Sequence, residues 1–221
     1  MNKRLIGSLA LSLLAPFYAQ ADEPKLYPTG PAEDASFIRF VDALSGPLEV
    51  RAGKDARIAL DAGNSSTTWQ AVKARAPLAA TLHHGGQSQA IEVSVQPSEF
   101  VTVAAIPDGK SGWKAELGRE TPSDFSAFKV SLGLMNLAAD CPSATIKLAG
   151  KDVAIVEDAT PRAIKRRQIN PVALGVDLYC QGQRVGEPVN LGSLRAGERW
   201  TVLVRPTSEG PRLMPILDRM P

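Results

Sequence analysis

Histidine, cysteine and aromatic residues are all scarce in this chain of 221 residues, which holds two histidines, two cysteines and an aromatic fraction of 5%. Each shortage removes a class of function. Cys141 and Cys180 are too few and too far apart in sequence to fill a tetrahedral metal site. His83 and His84 are neighbours, and on a strand neighbouring side chains point to opposite faces, so they would not share one ion. One is expected inward and one in solvent, with no metal and no cofactor. A low aromatic content is thin for a dedicated carbohydrate platform. Trp69 and Trp113 lie in polar stretches that read as exposed loops, whereas Trp200, beside Val202 and Val204, reads as core.

An excess of one charge is also missing. Lys and Arg total 25 against 23 for Asp and Glu. Without Lys3 and Arg4, which belong to an N-terminal targeting segment, the chain carries 23 of each sign. Such balance argues against nucleic acid and against general polyanion binding. Long apolar runs are absent beyond residues 5–15. A bilayer span needs about 20 apolar residues, and Pro16 ends this run early. Residues 1–21 read instead as a signal peptide: a charged start, a short apolar stretch and the small-x-small site Ala19-Gln20-Ala21, with cleavage after Ala21. The exported product is expected to have no stable membrane insertion. In an oxidising compartment an even cysteine count reads as a disulfide, Cys141 to Cys180.

The motifs of hydrolytic acyl transfer are missing too. There is no Gly-x-Ser-x-Gly elbow, no Gly-Asp-Ser block near the mature start, and no Asp three residues before either histidine. Ser65 and Ser66 sit in Gly-Asn-Ser-Ser-Thr-Thr, a turn-like run with no base in sight. No catalytic residue is assigned.

What the sequence does contain is a repeat. Ala52-Gly-Lys-Asp returns as Ala149-Gly-Lys-Asp, Leu82-His-His-Gly-Gly-Gln as Leu178-Tyr-Cys-Gln-Gly-Gln, and Glu99-Phe-Val-Thr-Val as Glu198-Arg-Trp-Thr-Val. Three matches in the same order indicate an internal duplication. Leu174, Val176, Leu178 and Cys180 alternate with Gly175, Asp177 and Tyr179, the period of a half-buried strand. Ile91, Val93 and Val95 do the same, and residues 100–106 form a continuous apolar run suited to a central strand. The expected fold is all-β: two tandem β-sandwich domains related by duplication, residues 22–118 and 126–221, joined by a short linker at 119–125. Each lobe is expected to fold alone. The Pro-rich tail from Pro206 either packs on the second lobe or stays extended.

Arg162, Lys165, Arg166 and Arg167 form the one dense basic run. It reads either as a solvated loop or as a contact for an acidic partner or polymer.

The stretch Leu26-Tyr-Pro-Thr-Gly-Pro-Ala-Glu-Asp-Ala-Ser-Phe-Ile-Arg-Phe-Val-Asp42 resembles the start of the mature chain in the AlgF family, and the layout of the whole mature chain is similar. That resemblance implies a periplasmic protein needed for O-acetylation of alginate. It also implies company: periplasmic enzymes of the AlgJ and AlgX type, a membrane-bound acyltransferase, and the alginate polymer itself. It carries over no catalytic residue. A non-catalytic adaptor is the expected role, with an acetyl carrier or acetyltransferase, and an alginate-binding module, as alternatives.

Overall fold

The computed structural model describes residues 35–221 except 54, 55, 110, 111 and 124. The signal segment and the cleavage site after Ala21 lie outside the described residues. The described chain is built from strands in two runs of eight. The first run is β1 (Ala35–Asp42), β2 (Leu48–Ala52), β3 (Ala56–Leu60), β4 (Gln70–Lys73), β5 (Pro77–His84), β6 (Gln87–Ser94), β7 (Phe100–Asp108) and β8 (Gly112–Glu120). The second is β9 (Val130–Asn136), β10 (Ala144–Leu148), β11 (Ala154–Ala159), β12 (Ile164–Ile169), β13 (Ala173–Cys180), β14 (Gln183–Ser193), β15 (Arg199–Arg205) and β16 (Arg212–Leu217).

Sheet order makes the duplication explicit. The first lobe has sheets β4-β1-β7-β8 and β3-β2-β5-β6; the second has β12-β9-β15-β16 and β11-β10-β13-β14, the same orders shifted by eight strands. In both, the first strand of the lobe pairs in parallel with the seventh, β1 with β7 and β9 with β15. The second and third sequence matches fall at equivalent places, and each has a local cause. The Leu-x-x-x-Gly-Gln match closes the β5–β6 and β13–β14 hairpins, where Gly85-Gly86 and Gln181-Gly182 all have positive φ. Two consecutive such residues make the turn whose twist suits a two-residue hairpin. In the third match, Glu99 accepts the Gln96 N–H at 2.7 Å and Glu198 the Arg195 N–H at 2.9 Å, closing the turn that launches β7 and β15.

Alternation then sorts the side chains. Ile38, Phe40, Val101, Val103 and Ala105 face Leu48, Val50 and Leu82 to form the first core. Leu132, Leu134, Val202 and Val204 face Ile146, Val176 and Leu178 to form the second. The opposite faces of β1, β7, β9 and β15 are not in solvent either. Val41, Ala104 and Ile106 of the first lobe join Met135, Leu137, Leu203 and Ile216 of the second in a third core. The layers therefore run outer sheet, inner sheet, inner sheet, outer sheet. The central strands of the inner pair are covered on both sides, and this explains why β9 is buried along its whole length.

This third core joins the inner sheets of the two lobes. Gly118 in β8 marks a close approach between the lobes: a Cβ there would collide with Met135 Cε. The polar stretch beginning at Gly118 is strand as far as Glu120, so the connection between lobes starts at Thr121. The tail is not loose. It forms β16 beside β15 and carries Asp218 into the contact between lobes.

Cys141 and Cys180 are joined, with Cα atoms 5.1 Å apart. The bond ties the β9–β10 connection to the end of β13. In the first lobe the equivalent link is a hydrogen bond, His84 Nδ1 to the Pro47 carbonyl at 3.0 Å, from the end of β5 to the β1–β2 connection.

Candidate functional site

The contact between the inner sheets is apolar at one end and charged in the middle. Arg39 on β1 is 1% exposed. Its Nε donates to Thr102 Oγ1 at 2.9 Å and its Nη1 meets Asp218 Oδ1 at 2.5 Å, while its guanidinium lies 4.4 Å over the Trp69 ring. The position of Arg39 opposite Thr102 corresponds to Gly133 opposite Thr201 in the second lobe. There the space is filled from the side. Arg166, from edge strand β12, lays its guanidinium where a Cβ on Gly133 would come within 2.9 Å of Cζ. It donates to both Glu120 oxygens at 2.9 Å and to Asp218 Oδ2 at 3.2 Å. Two guanidinia, one per lobe, thus flank one buried carboxylate, which Thr201 also serves at 2.9 Å. Burial alone would raise the Asp218 carboxyl, but Arg39 and Arg166 outweigh it and hold the group below its ordinary value. For Arg166, burial works against the charge, and Glu120 and Asp218 more than compensate.

The basic run is therefore no solvated loop. Residues 164–169 are strand β12, whose alternation separates Arg166 from Lys165 and Arg167, and Arg162 lies in the turn before it. Arg162 reaches Glu116 at 2.9 Å and Arg166 reaches Glu120, so both clamp β8 of the first lobe. Lys165 and Arg167 are exposed, and Arg167 touches the Ala154 and Ile155 carbonyls. Sequence spacing did not show this pairing, because Glu116 and Glu120 lie 46 residues away.

Two clefts flank the ends of β8. One, of about 450 Å³, is bordered by Arg119, Glu120, Pro122, Arg166 and Arg167. The other, of about 510 Å³, opens where the first lobe's Ser45, His84 and Trp113 meet the second lobe's Arg205, Ser208 and Arg212. Trp113 is on strand β8, against the expectation of an exposed loop, with its ring edge-on to His84 at 6.2 Å. Trp69, also expected in solvent, is 1% exposed beneath Arg39. Trp200 is partly buried against the second core, as read from its strand.

His83 and His84 face opposite sides of β5: His83 looks to the outer surface beside Arg51 and Glu92, His84 to the second cleft. Near it, Asp42 is pushed up by burial, and the Leu44 N–H, His84 and Arg205 pull the other way. A serine-type transfer site would need a carboxylate behind the histidine. Behind His84 stands the Pro47 carbonyl instead. Among the described residues no group of three or more His, Cys, Asp or Glu side chains is placed to hold a metal ion.

A family model described as alginate O-acetyl transferase AlgF matches residues 8–201. The chain belongs to the AlgF family. It is 29% identical over 220 residues to a protein of Pseudomonas aeruginosa named alginate biosynthesis protein AlgF, covering 99% of this chain and 93% of that protein. Membership of AlgF places the chain among alginate biosynthesis and O-acetylation proteins. The disulfide agrees with a life outside the cytoplasm. No described helix is long and apolar enough to cross a membrane.

Proposed function

We propose that the protein is a non-catalytic periplasmic adaptor that holds acetylation enzymes together while alginate is acetylated. The observation that carries this reading is the four-layer build. Two duplicated outer sheets sit on opposite sides of an inner pair that shares a core, so one molecule offers two separate faces. Their chemistry has diverged. The first lobe presents Arg51, Thr81, His83 and Glu92 around small alanines. The second presents Lys147 stacked 4.3 Å over Tyr179, with Arg184 paired to Asp177 at 2.7 Å. Two unlike faces on one block suit two unlike partners, and tethering them raises their effective concentration without any chemistry of the tether's own. Enzymes of the AlgJ and AlgX type are the proposed partners, with the membrane acyltransferase next.

The test is reconstitution from purified components. The mature chain is expected to bind each enzyme alone and both at once, in a complex larger than either pair by light scattering. Mutually exclusive binding, or none, would overturn the adaptor.

The alternative, an acetyl carrier or acetyltransferase, draws on one feature. His84, with Nδ1 held by Pro47, shares its cleft with the Ser45, Thr207 and Ser208 hydroxyls. Under the adaptor reading, Ser45→Ala, Ser208→Ala, Ser65→Ala and Ser66→Ala leave cellular alginate acetylation unchanged. Loss of acetylation by one folded, partner-binding serine variant would favour the carrier instead.

A further inference from the structure

We propose that the 510 Å³ cleft between the lobes, at the start of β8, is a docking slot for an extended acidic segment of a partner protein. The proposal rests on the adaptor reading and names one place where a partner is held. Three observations carry it. First, two buried donors on its lining side chains, Trp113 Nε1 and Arg205 Nε, have no hydrogen-bond partner among the described residues. Buried donors are normally satisfied, and an orphan costs roughly 1–3 kcal/mol, so an occupant rich in acceptors is called for. An extended peptide brings carbonyls as well as carboxylates.

Second, the charge at the mouth is positive and easily freed. Arg205 is pinned by its Nη1 bond to the Ala43 carbonyl at 3.2 Å, which holds it across the lobe boundary. Arg212 pairs with Glu209 at 3.3 Å, but the Glu209 side chain is 80% exposed. Exposed pairs contribute little, so an incoming carboxylate can replace Glu209 at small cost. Third, size and surface select the ligand class. The volume falls in the range of ligand clefts, roughly 300–1,000 Å³, far more than an acetate ion needs. Stacking of a sugar ring needs an open aromatic face. Trp113 instead packs against the first core and stands edge-on to His84.

The experiment uses the full mature chain labelled with ¹⁵N. Its three tryptophans give three indole N–H resonances, of which Trp113 is assigned by Trp113→Phe. The probe is a capped Glu-Leu hexapeptide, compared with the Lys-Leu hexapeptide, a mannuronate trimer and sodium acetate. The Glu-Leu peptide is expected to move the Trp113 resonance alone. Arg212→Glu should weaken that binding at least tenfold, and Ser45→Trp, an exposed position on the rim, should abolish it; both variants should melt like the parent. No shift, an equal response to the lysine peptide, a stronger response to the trimer or acetate, or unchanged binding by both variants would overturn the slot. Co-purification separates the two ideas. If Arg212→Glu and Ser45→Trp still capture the acetylation enzymes as the parent does, the slot falls and the adaptor stands. If the peptide binds as expected but the parent captures no enzyme, the adaptor falls.

Discussion

Asp218 accepts from Arg39, Arg166 and Thr201 with a side chain that is fully buried. Because its folded-state carboxyl is held below the unfolded value of about 3.9, it contributes stability that is complete above that value. That contribution is lost as pH falls through the lower, folded value. Thermal midpoints should therefore drop steeply below about pH 4, and Asp218→Asn should flatten this acid limb while lowering stability at neutral pH. Calorimetry from pH 2 to 8 checks both. Removing one partner from such a cluster strands the others, so Glu120→Ala should cost about 3–5 kcal/mol in urea unfolding. Gly133→Ala tests the same point from the backbone. Its Cβ would meet Arg166 Cζ at 2.9 Å, so the guanidinium must leave Glu120 and Asp218. A loss of roughly 1–3 kcal/mol is expected, whereas a neutral outcome would mean the cluster adds nothing net.

At the scale of elements, the two lobes solve one problem by different means. The end of β13 is stapled to the β9–β10 connection by a disulfide, and the end of β5 is held to the β1–β2 connection by His84. A bridge closing a loop of about 40 residues contributes roughly 3–4 kcal/mol in the entropic account, a single hydrogen bond about 1. Replacing both cysteines by serine should therefore destabilise the protein several times more than His84→Ala, as read by denaturant midpoints. Equal effects would show that the staple is redundant with the packing of Cys141 against the second core.

For the whole molecule, the decisive feature is the core shared by both lobes. A large apolar contact opposes the relative motion that linked domains usually show. Either lobe alone would expose Val41, Ala104 and Ile106, or Met135, Leu203 and Ile216, together with uncompensated buried charge. Residues 22–120 and 125–221, expressed separately, are expected to aggregate or to lack a cooperative melt, and to recover one when mixed. Two sharp independent transitions would restore the autonomous lobes that the repeat suggests.

Sequence by itself determined the strands and their duplication, because a period of two, paired glycines in hairpins and a recurring Glu before β7 and β15 are local signals. It also determined the disulfide, since an even cysteine pair in an exported chain leaves few other fates, and AlgF membership was legible from the start of the mature chain. Tertiary structure alone decided what the basic run does. Arg166 reads as a surface cation in sequence, yet it fills the space left by Gly133 and pairs with Glu120, and no pattern within one strand encodes a partner 46 residues away. The same holds for Trp69, whose polar neighbours suggest solvent although Arg39 covers it. Local sequence reports which face of a strand is apolar; only the packing of one sheet on another decides what that face, or its opposite, will meet.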